Sequence, residues 1–193
     1  MTTLPCVLGF RVKSGWAAVV LLGGSRKAPR VVDSRIVALS DPAVRHSRQP
    51  YHAAFATAQT DKRAVARLIS SIERFSRGTI AALVEATRDE HRLRDAGVVV
   101  SSLTDPATIA NQHMRAHASE GRLFRTVTAD GLERCGVKPR IVLERDIYEA
   151  LAKRLRLPLV TVKTQVSDLG ADITPWRAEQ KVAAAAAWLV LAG

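Results

Sequence analysis

Cys6–Phe10 (CVLGF), Trp16–Leu22 (WAAVVLL) and Arg30–Leu39 (RVVDSRIVAL) are three apolar runs set close together at the start of the chain. The polar stretch Arg11-Val12-Lys13-Ser14-Gly15 joins the first run to the second, and Gly23-Gly24-Ser25 stands between the second and third. Short apolar runs rich in β-branched residues and punctuated by glycine and serine read as strands, with Gly23-Gly24-Ser25 as a hairpin turn. Three consecutive strands therefore open the fold. A cation, Arg11, follows the first of them directly.

Downstream, the pattern changes period. After the polar loop Ser40–Pro50, Tyr51-His52-Ala53-Ala54 reads as the start of a short helical turn. Asp61 then has the position of an N-cap, and Val65, Leu68, Ile69, Ile72 and Phe75 follow helical spacing. Ile80, Leu83 and Val84 continue that spacing beyond Gly78, where a kink or a break into two helices is expected. Gly97–Leu103 (GVVVSSL) reads as a fourth, buried strand. Thr104-Asp105-Pro106 opens a helix carrying Ile109, Met114 and two histidines, and a separate amphipathic segment spans Glu120–Cys135 with Gly136 closing it. Val137–Leu143 is the fifth strand, and Pro139 marks it as an edge. Helices are expected at Arg145–Leu155 and Leu159–Leu169, and finally at Thr174–Leu191, opened by Thr174-Pro175-Trp176. The expected fold is α/β: a five-stranded mixed sheet, three antiparallel strands and then two parallel, flanked by helices in one domain over 1–193.

This order resembles the ribonuclease H-like superfamily, and within it the Holliday-junction resolvase type. The segment Glu120–Arg145 (EGRLFRTVTADGLERCGVKPRIVLER) and the small-residue closing helix (TPWRAEQKVAAAAAWLVLAG) are similar to the corresponding parts of resolvases. The resemblance implies a bacterial protein and an active site in which several carboxylates hold two Mg²⁺ ions for phosphodiester cleavage. The residues matching that pattern depart from it. Arg11 takes the place of the first-strand aspartate, and Ser101 or Ser102 that of the fourth-strand acid. The last helix offers only Glu179, with Lys181 two residues on. One carboxylate among cations does not hold two divalent metals, so the cleft is expected to take an anion through Arg11, Lys13, Ser14 and Lys181, or to close on an Arg11–Glu179 ion pair.

Charge points the same way. The 193 residues carry 29 Lys and Arg against 18 Asp and Glu, a net +11, which suits a nucleic acid or a phosphorylated ligand as partner. Aromatic residues make up only 5% of the chain, too few for a single-strand stacking platform. No window is long and apolar enough to span a bilayer, the amino terminus lacks a basic signal-peptide region, and the two cysteines lack metal-type spacing; a cytoplasmic protein with reduced thiols is expected.

His113, His117 and Glu120 fall at i, i+4 and i+7, on one face if the helix is continuous. Such a face can hold Zn²⁺ or place His117 as a general acid/base oriented by Glu120. No fourth ligand is evident and Glu120-Gly121 reads as a helix break, so hydrogen-bonded or solvated histidines are expected, with no metal and no cofactor. Arg122 and Arg125 add positive charge nearby, and Tyr51-His52, after the basic loop Arg45–Arg48, is a further candidate for ligand contact. There is no nucleophile elbow, P-loop or dinucleotide fingerprint. The expected function is a ribonuclease H-like domain that binds nucleic acid or a phosphate-bearing ligand without two-metal cleavage. The alternatives are a hydrolase or transferase using His117 and Glu120, and an interaction protein that forms homo-oligomers through Val182–Leu191.

Overall fold

The computed structural model describes residues 5–54 and 57–193. Its sheet is built from β1 (Pro5–Lys13), β2 (Trp16–Ser25), β3 (Ala28–Ala38), β6 (Arg92–Val100) and β7 (Pro139–Leu143), in the order β3-β2-β1-β6-β7. The first three strands are antiparallel neighbours, and β6 runs parallel to both β1 and β7. The expected five-stranded mixed sheet is thus present, with Pro139 on an edge strand. A separate small ribbon pairs β4 (His52–Ala54) with β5 (Thr57–Ala58).

One expected turn is shorter than read and another lies elsewhere. Lys13 faces Trp16, so Ser14-Gly15 alone makes the first hairpin, with Gly15 in the left-handed region that its missing Cβ permits. Its carbonyl accepts from Leu39 and Ser40, which ties the hairpin to the end of β3. The second turn is not Gly23-Gly24-Ser25, which remains in β2; Ser25 pairs with Ala28 and the chain reverses at Arg26-Lys27.

Residue alternation on the strands divides the core in two. Leu8, Phe10 and Val12 of β1 and Val98 and Val100 of β6 pack with α1 (Lys62–Glu90) and α2 (Gln112–Arg134). Val7 and Val99 face α3 (Ile147–Leu155), α4 (Leu159–Asp168) and α5 (Ala178–Leu191). Helix α5 lies closest to the sheet. Val182–Leu189 are all buried there, and the Trp188 indole N–H donates to the Arg26 carbonyl at 2.9 Å. The apolar segment expected as an oligomer surface is therefore part of the chain's own core. That helix also starts later than expected, at Ala178, after Arg177 as its N-cap.

Helix α1 is continuous. Asp61 caps it by accepting from Arg63 and Ala64, and Gly78 introduces no break. Ile72, Ile80, Leu83 and Val84, all buried, hold its inner face on both sides of Gly78, which outweighs the local cost of one glycine. A Cβ placed on Gly78 meets nothing within 4 Å. Gly78→Ala is therefore expected to stabilise the protein by about 0.5–1 kcal/mol, read as a higher midpoint in urea. An unchanged or lower midpoint would mean that the glycine serves a purpose its surroundings do not reveal.

Helix α2 differs more from expectation. Asp105 caps only a single 3₁₀ turn, Pro106–Thr108; the helix proper begins after Asn111, whose side chain accepts from Met114, and runs unbroken through Gly121. The two segments expected around Glu120-Gly121 are one helix. Among the described residues no helix is long and apolar enough to cross a membrane.

Candidate functional site at the strand ends and the histidine face

Arg11 ends up inside the protein. Its residue is 1% exposed, on the sheet face shared by Val7 and Gly9. The register that sets Arg11 beside Val99, and Val100 beside Leu143, carries Glu144 to the same corner as β7 ends. The Glu144 backbone N–H donates to the Val100 carbonyl at 2.9 Å, fixing the turn. The guanidinium then forks onto Glu144: Nε donates to Oε1 at 2.9 Å and Nη2 donates to Oε2. Nη2 also donates to Ser101 Oγ at 3.1 Å, and Nη1 to the Val12 carbonyl at 2.6 Å. The internal ion pair expected of Arg11 exists, but its partner is Glu144 and not Glu179. A parallel β6–β7 pair brings the end of β7 beside Arg11, while α5 presents Glu179 elsewhere, next to Gly15, Trp16 and Arg177 in a separate cavity. Lys181 is likewise drawn away: its Nζ donates to Ser167 Oγ of α4 at 2.9 Å.

Beside this corner a cavity of about 420 Å³ opens between the ends of β1 and β6 and helix α2. Lys13, Ser14, Ser101, Ser102, Thr104 and His117 supply its polar wall, and no acidic side chain is among the described residues lining it. Arg125 lies close by, donating to the Ser102 carbonyl at 3.1 Å, and Arg122 pairs with Asp105 at 3.3 Å. Of the residues expected to take an anion, Lys13, Ser14, Ser101 and Ser102 share this cavity; Glu179 and Lys181 are not among its lining.

The continuous α2 does put His113, His117 and Glu120 on one face, and β4 adds His52 to them. The stretch expected as a helical turn is instead the strand His52–Ala54, and it delivers His52 as a buried side chain against α2. His52 Nδ1 lies 2.7 Å from Glu120 Oε1, and its Nε2 lies 3.2 Å from His113 Nδ1. His113 Nε2 and His117 Nε2 are also 3.2 Å apart. One ring nitrogen from each of the three histidines falls within 4.8 Å of the others. Glu120 is fully buried; its Oε2 has no hydrogen-bond partner among the described residues and lies 3.8 Å from His117 Nδ1. Burial pushes the Glu120 carboxyl upward, against the opposing pull of His52 and the Tyr51 main chain. Burial, then the neighbouring His52 and His113, push the His117 imidazole downward. In the sequence His52 stands apart from the other two, 61 residues before His113.

No protein-family model matches the chain, and no curated protein sequence matches it. Solved structures do. Over 95% of this chain and 90% of the other, it superposes on Thermus thermophilus RuvC in complex with a Holliday junction substrate, with a TM-score of 0.55 at 13% identity. A second Thermus thermophilus RuvC structure matches with a TM-score of 0.56 at 12% identity, covering 95% and 91% of the two chains. The yeast mitochondrial Holliday junction resolvase matches more distantly, with a TM-score of 0.46 at 8% identity over 96% of this chain and 76% of the other. The strand order, the two flanking helical layers and the likeness to RuvC together identify the fold of this chain as ribonuclease H-like.

Proposed function

We propose that this chain binds nucleic acid at the carboxyl ends of β1 and β6 and does not cleave it by two-metal chemistry. The observation that carries the reading is the acid-free cavity lined by Lys13, Ser14, Ser101 and Ser102, at the end of the sheet where open α/β folds receive ligands. Hydroxyls and an ammonium suit phosphate oxygens, and the net charge of +11 supplies long-range attraction.

The two Mg²⁺ ions that the fold family implies do not fit these residues. The corner that would hold them contains a guanidinium, and Glu144 already gives both its oxygens to Arg11. A buried cation repels a divalent ion, and one committed carboxylate leaves no ligand set for a pair of them. In this reading Arg11 braces the strand ends and Lys13 meets the phosphate. RuvC, whose structure holds a Holliday junction, makes branched DNA the first substrate class to try.

The test is binding to a labelled four-way DNA junction, a duplex and a single strand across a salt series, with and without Mg²⁺. Affinity is expected to fall roughly a thousandfold between about 50 and 200 mM salt, as for some six phosphate contacts, with no strand cleavage. Lys13→Ala is expected to weaken binding to every sequence and to lower the salt slope by about 1. No binding at low salt, salt-independent binding, or Mg²⁺-dependent strand scission would each overturn the proposal.

A further inference from the structure

We propose that His52, His113 and His117 form a binding site for one Zn²⁺-class divalent ion, with Glu120 as the carboxylate that orients the ligands. Nothing in the nucleic-acid reading requires this, and the site stands or falls independently of it.

Neutral histidine binds a metal through one nitrogen and, in built sites, donates the other N–H to a carboxylate or carbonyl. His52 does this already, with Nδ1 at 2.7 Å from Glu120 Oε1 and Nε2 directed toward the other two rings. His117 is turned the same way: its Nδ1 faces the second oxygen of the same carboxylate at 3.8 Å, and its Nε2 faces His113. One buried carboxylate thus backs two histidines, and one nitrogen from each of the three rings lies within 4.8 Å of the others. The unpartnered Glu120 Oε2 is the acceptor that a small rotation of His117 would satisfy. His113 closes the set from the first turn of α2, so the i, i+4 pair and His52 provide three nitrogen donors.

Three imidazoles and no thiolate or further carboxylate select Zn²⁺, Co²⁺, Ni²⁺ or Cu²⁺ over Mg²⁺ or Ca²⁺, which prefer oxygen ligands. Three protein ligands also leave a coordination position open, the pattern of sites that bind water or substrate and not of closed structural ones. Here that position faces a cavity of about 350 Å³, whose other lining includes His46, Gln49 and Ala54. His117 lines this cavity and the one holding Lys13 and Ser101 as well. A metal at the histidines would therefore sit beside the place proposed for phosphate.

Without a metal, the same nitrogens lie within hydrogen-bond distance of one another, His117 Nε2 to His113 Nε2 and His113 Nδ1 to His52 Nε2 at 3.2 Å each and His52 Nδ1 to Glu120 Oε1 at 2.7 Å, with donor and acceptor set by the tautomers. The experiment separates the two states. The untagged, chelator-treated chain of 193 residues is titrated with ZnCl₂ by calorimetry, and with Co²⁺ followed by its visible d–d absorption. One saturable equivalent is expected, with Co²⁺ bands of a four- or five-coordinate nitrogen-rich site and no response to Mg²⁺. His117→Gln, at a half-exposed side chain, is expected to weaken Zn²⁺ binding at least a hundredfold while circular dichroism stays unchanged. Glu120→Gln is expected to weaken it about 10–100-fold through its effect on ligand orientation. Absence of saturable Zn²⁺ binding, or binding that His117→Gln and His113→Asn leave within twofold of the parent, would show that the histidines serve only each other.

Discussion

Gly9→Ala is expected to cost about 3 kcal/mol or more, at the upper end of what overpacking a core produces. A Cβ on Gly9 would stand 1.9 Å from the Ala183 carbonyl oxygen and 2.7 Å from the Ala187 nitrogen. Both are main-chain atoms of α5, so no rotamer change relieves the clash; the helix must move off the sheet. Gly97 of β6 makes the same kind of approach, with its Cβ position 2.4 Å from the Ala186 carbonyl oxygen. The run Ala183–Ala187, buried throughout, is the matching surface: two glycines on adjacent strands receive a helix of small side chains at backbone distance. Lifting that helix would open gaps around Trp188, Val182 and Leu189, which lose dispersion contacts as well as burial. Thermal unfolding reads the effect, as a fall in Tm of about 6–12 °C for a chain of this size. A Gly9→Ala protein melting within about 2 °C of the parent would mean that α5 is not held at that distance. Gly78→Ala, the same chemical change where nothing is near, is the control and moves the other way.

The contrast between those two glycines also measures how much of the molecule its sequence discloses. The strands were legible where they are buried on both faces and appear as apolar runs, in β1, β2 and the Ala96–Val100 end of β6. Strand β6 begins at Arg92 and ends at Val100, not at the expected Gly97 and Leu103; its first four residues, Arg92–Asp95, are charged or only half-buried and carry no such run. The order of the strands followed from the resemblance to resolvases, which the RuvC superposition bears out at the level of fold. Helix continuity was not legible. Gly78 and Gly121 look like breaks locally, yet each lies in a helix pinned by buried residues on either side, Ile72 and Ile80 in α1, Ala116 and Phe124 in α2. Packing decides such cases over propensity. Gly9, by contrast, carries no sign in the sequence that a helix rests on it. At the site the difficulty was distance along the chain. His113, His117 and Glu120 were visible as one face, but the third histidine comes from a two-stranded ribbon before α1. Glu144 escaped notice for a similar reason. It follows the last strand directly, and only the parallel register of β6 and β7 shows that this strand end meets Arg11.

That pairing leads to an asymmetric expectation: removing Glu144 should harm the protein more than removing Arg11. The Arg11 side chain is 1% exposed while that of Glu144 is 42% exposed. In Glu144→Ala the guanidinium stays buried, Nε loses its partner, and only Ser101 Oγ and the Val12 carbonyl remain to it. Stranding a buried charge in this way costs about 3–5 kcal/mol. In Arg11→Met an apolar chain of similar length fills the space, and the abandoned carboxylate turns into water. The expected loss is then about 1–2 kcal/mol, that of charged hydrogen bonds without a stranded ion. The double variant Arg11→Met/Glu144→Gln should lie near Arg11→Met and well above Glu144→Ala, since the damage in the single variant comes from the unpaired cation. Urea is the denaturant to use, because guanidinium salt would itself screen charge. If Arg11→Met proves as destabilising as Glu144→Ala, the guanidinium is stabilising in its own right and the pair is not the brace described. If instead the order holds and Arg11→Met keeps the parent's salt slope for DNA while Lys13→Ala lowers it, the two cations have separate duties. Arg11 then braces the ends of β1, β6 and β7 through Val12, Ser101 and Glu144, and Lys13, beside the Ser14-Gly15 turn, reaches the phosphate of the proposed ligand.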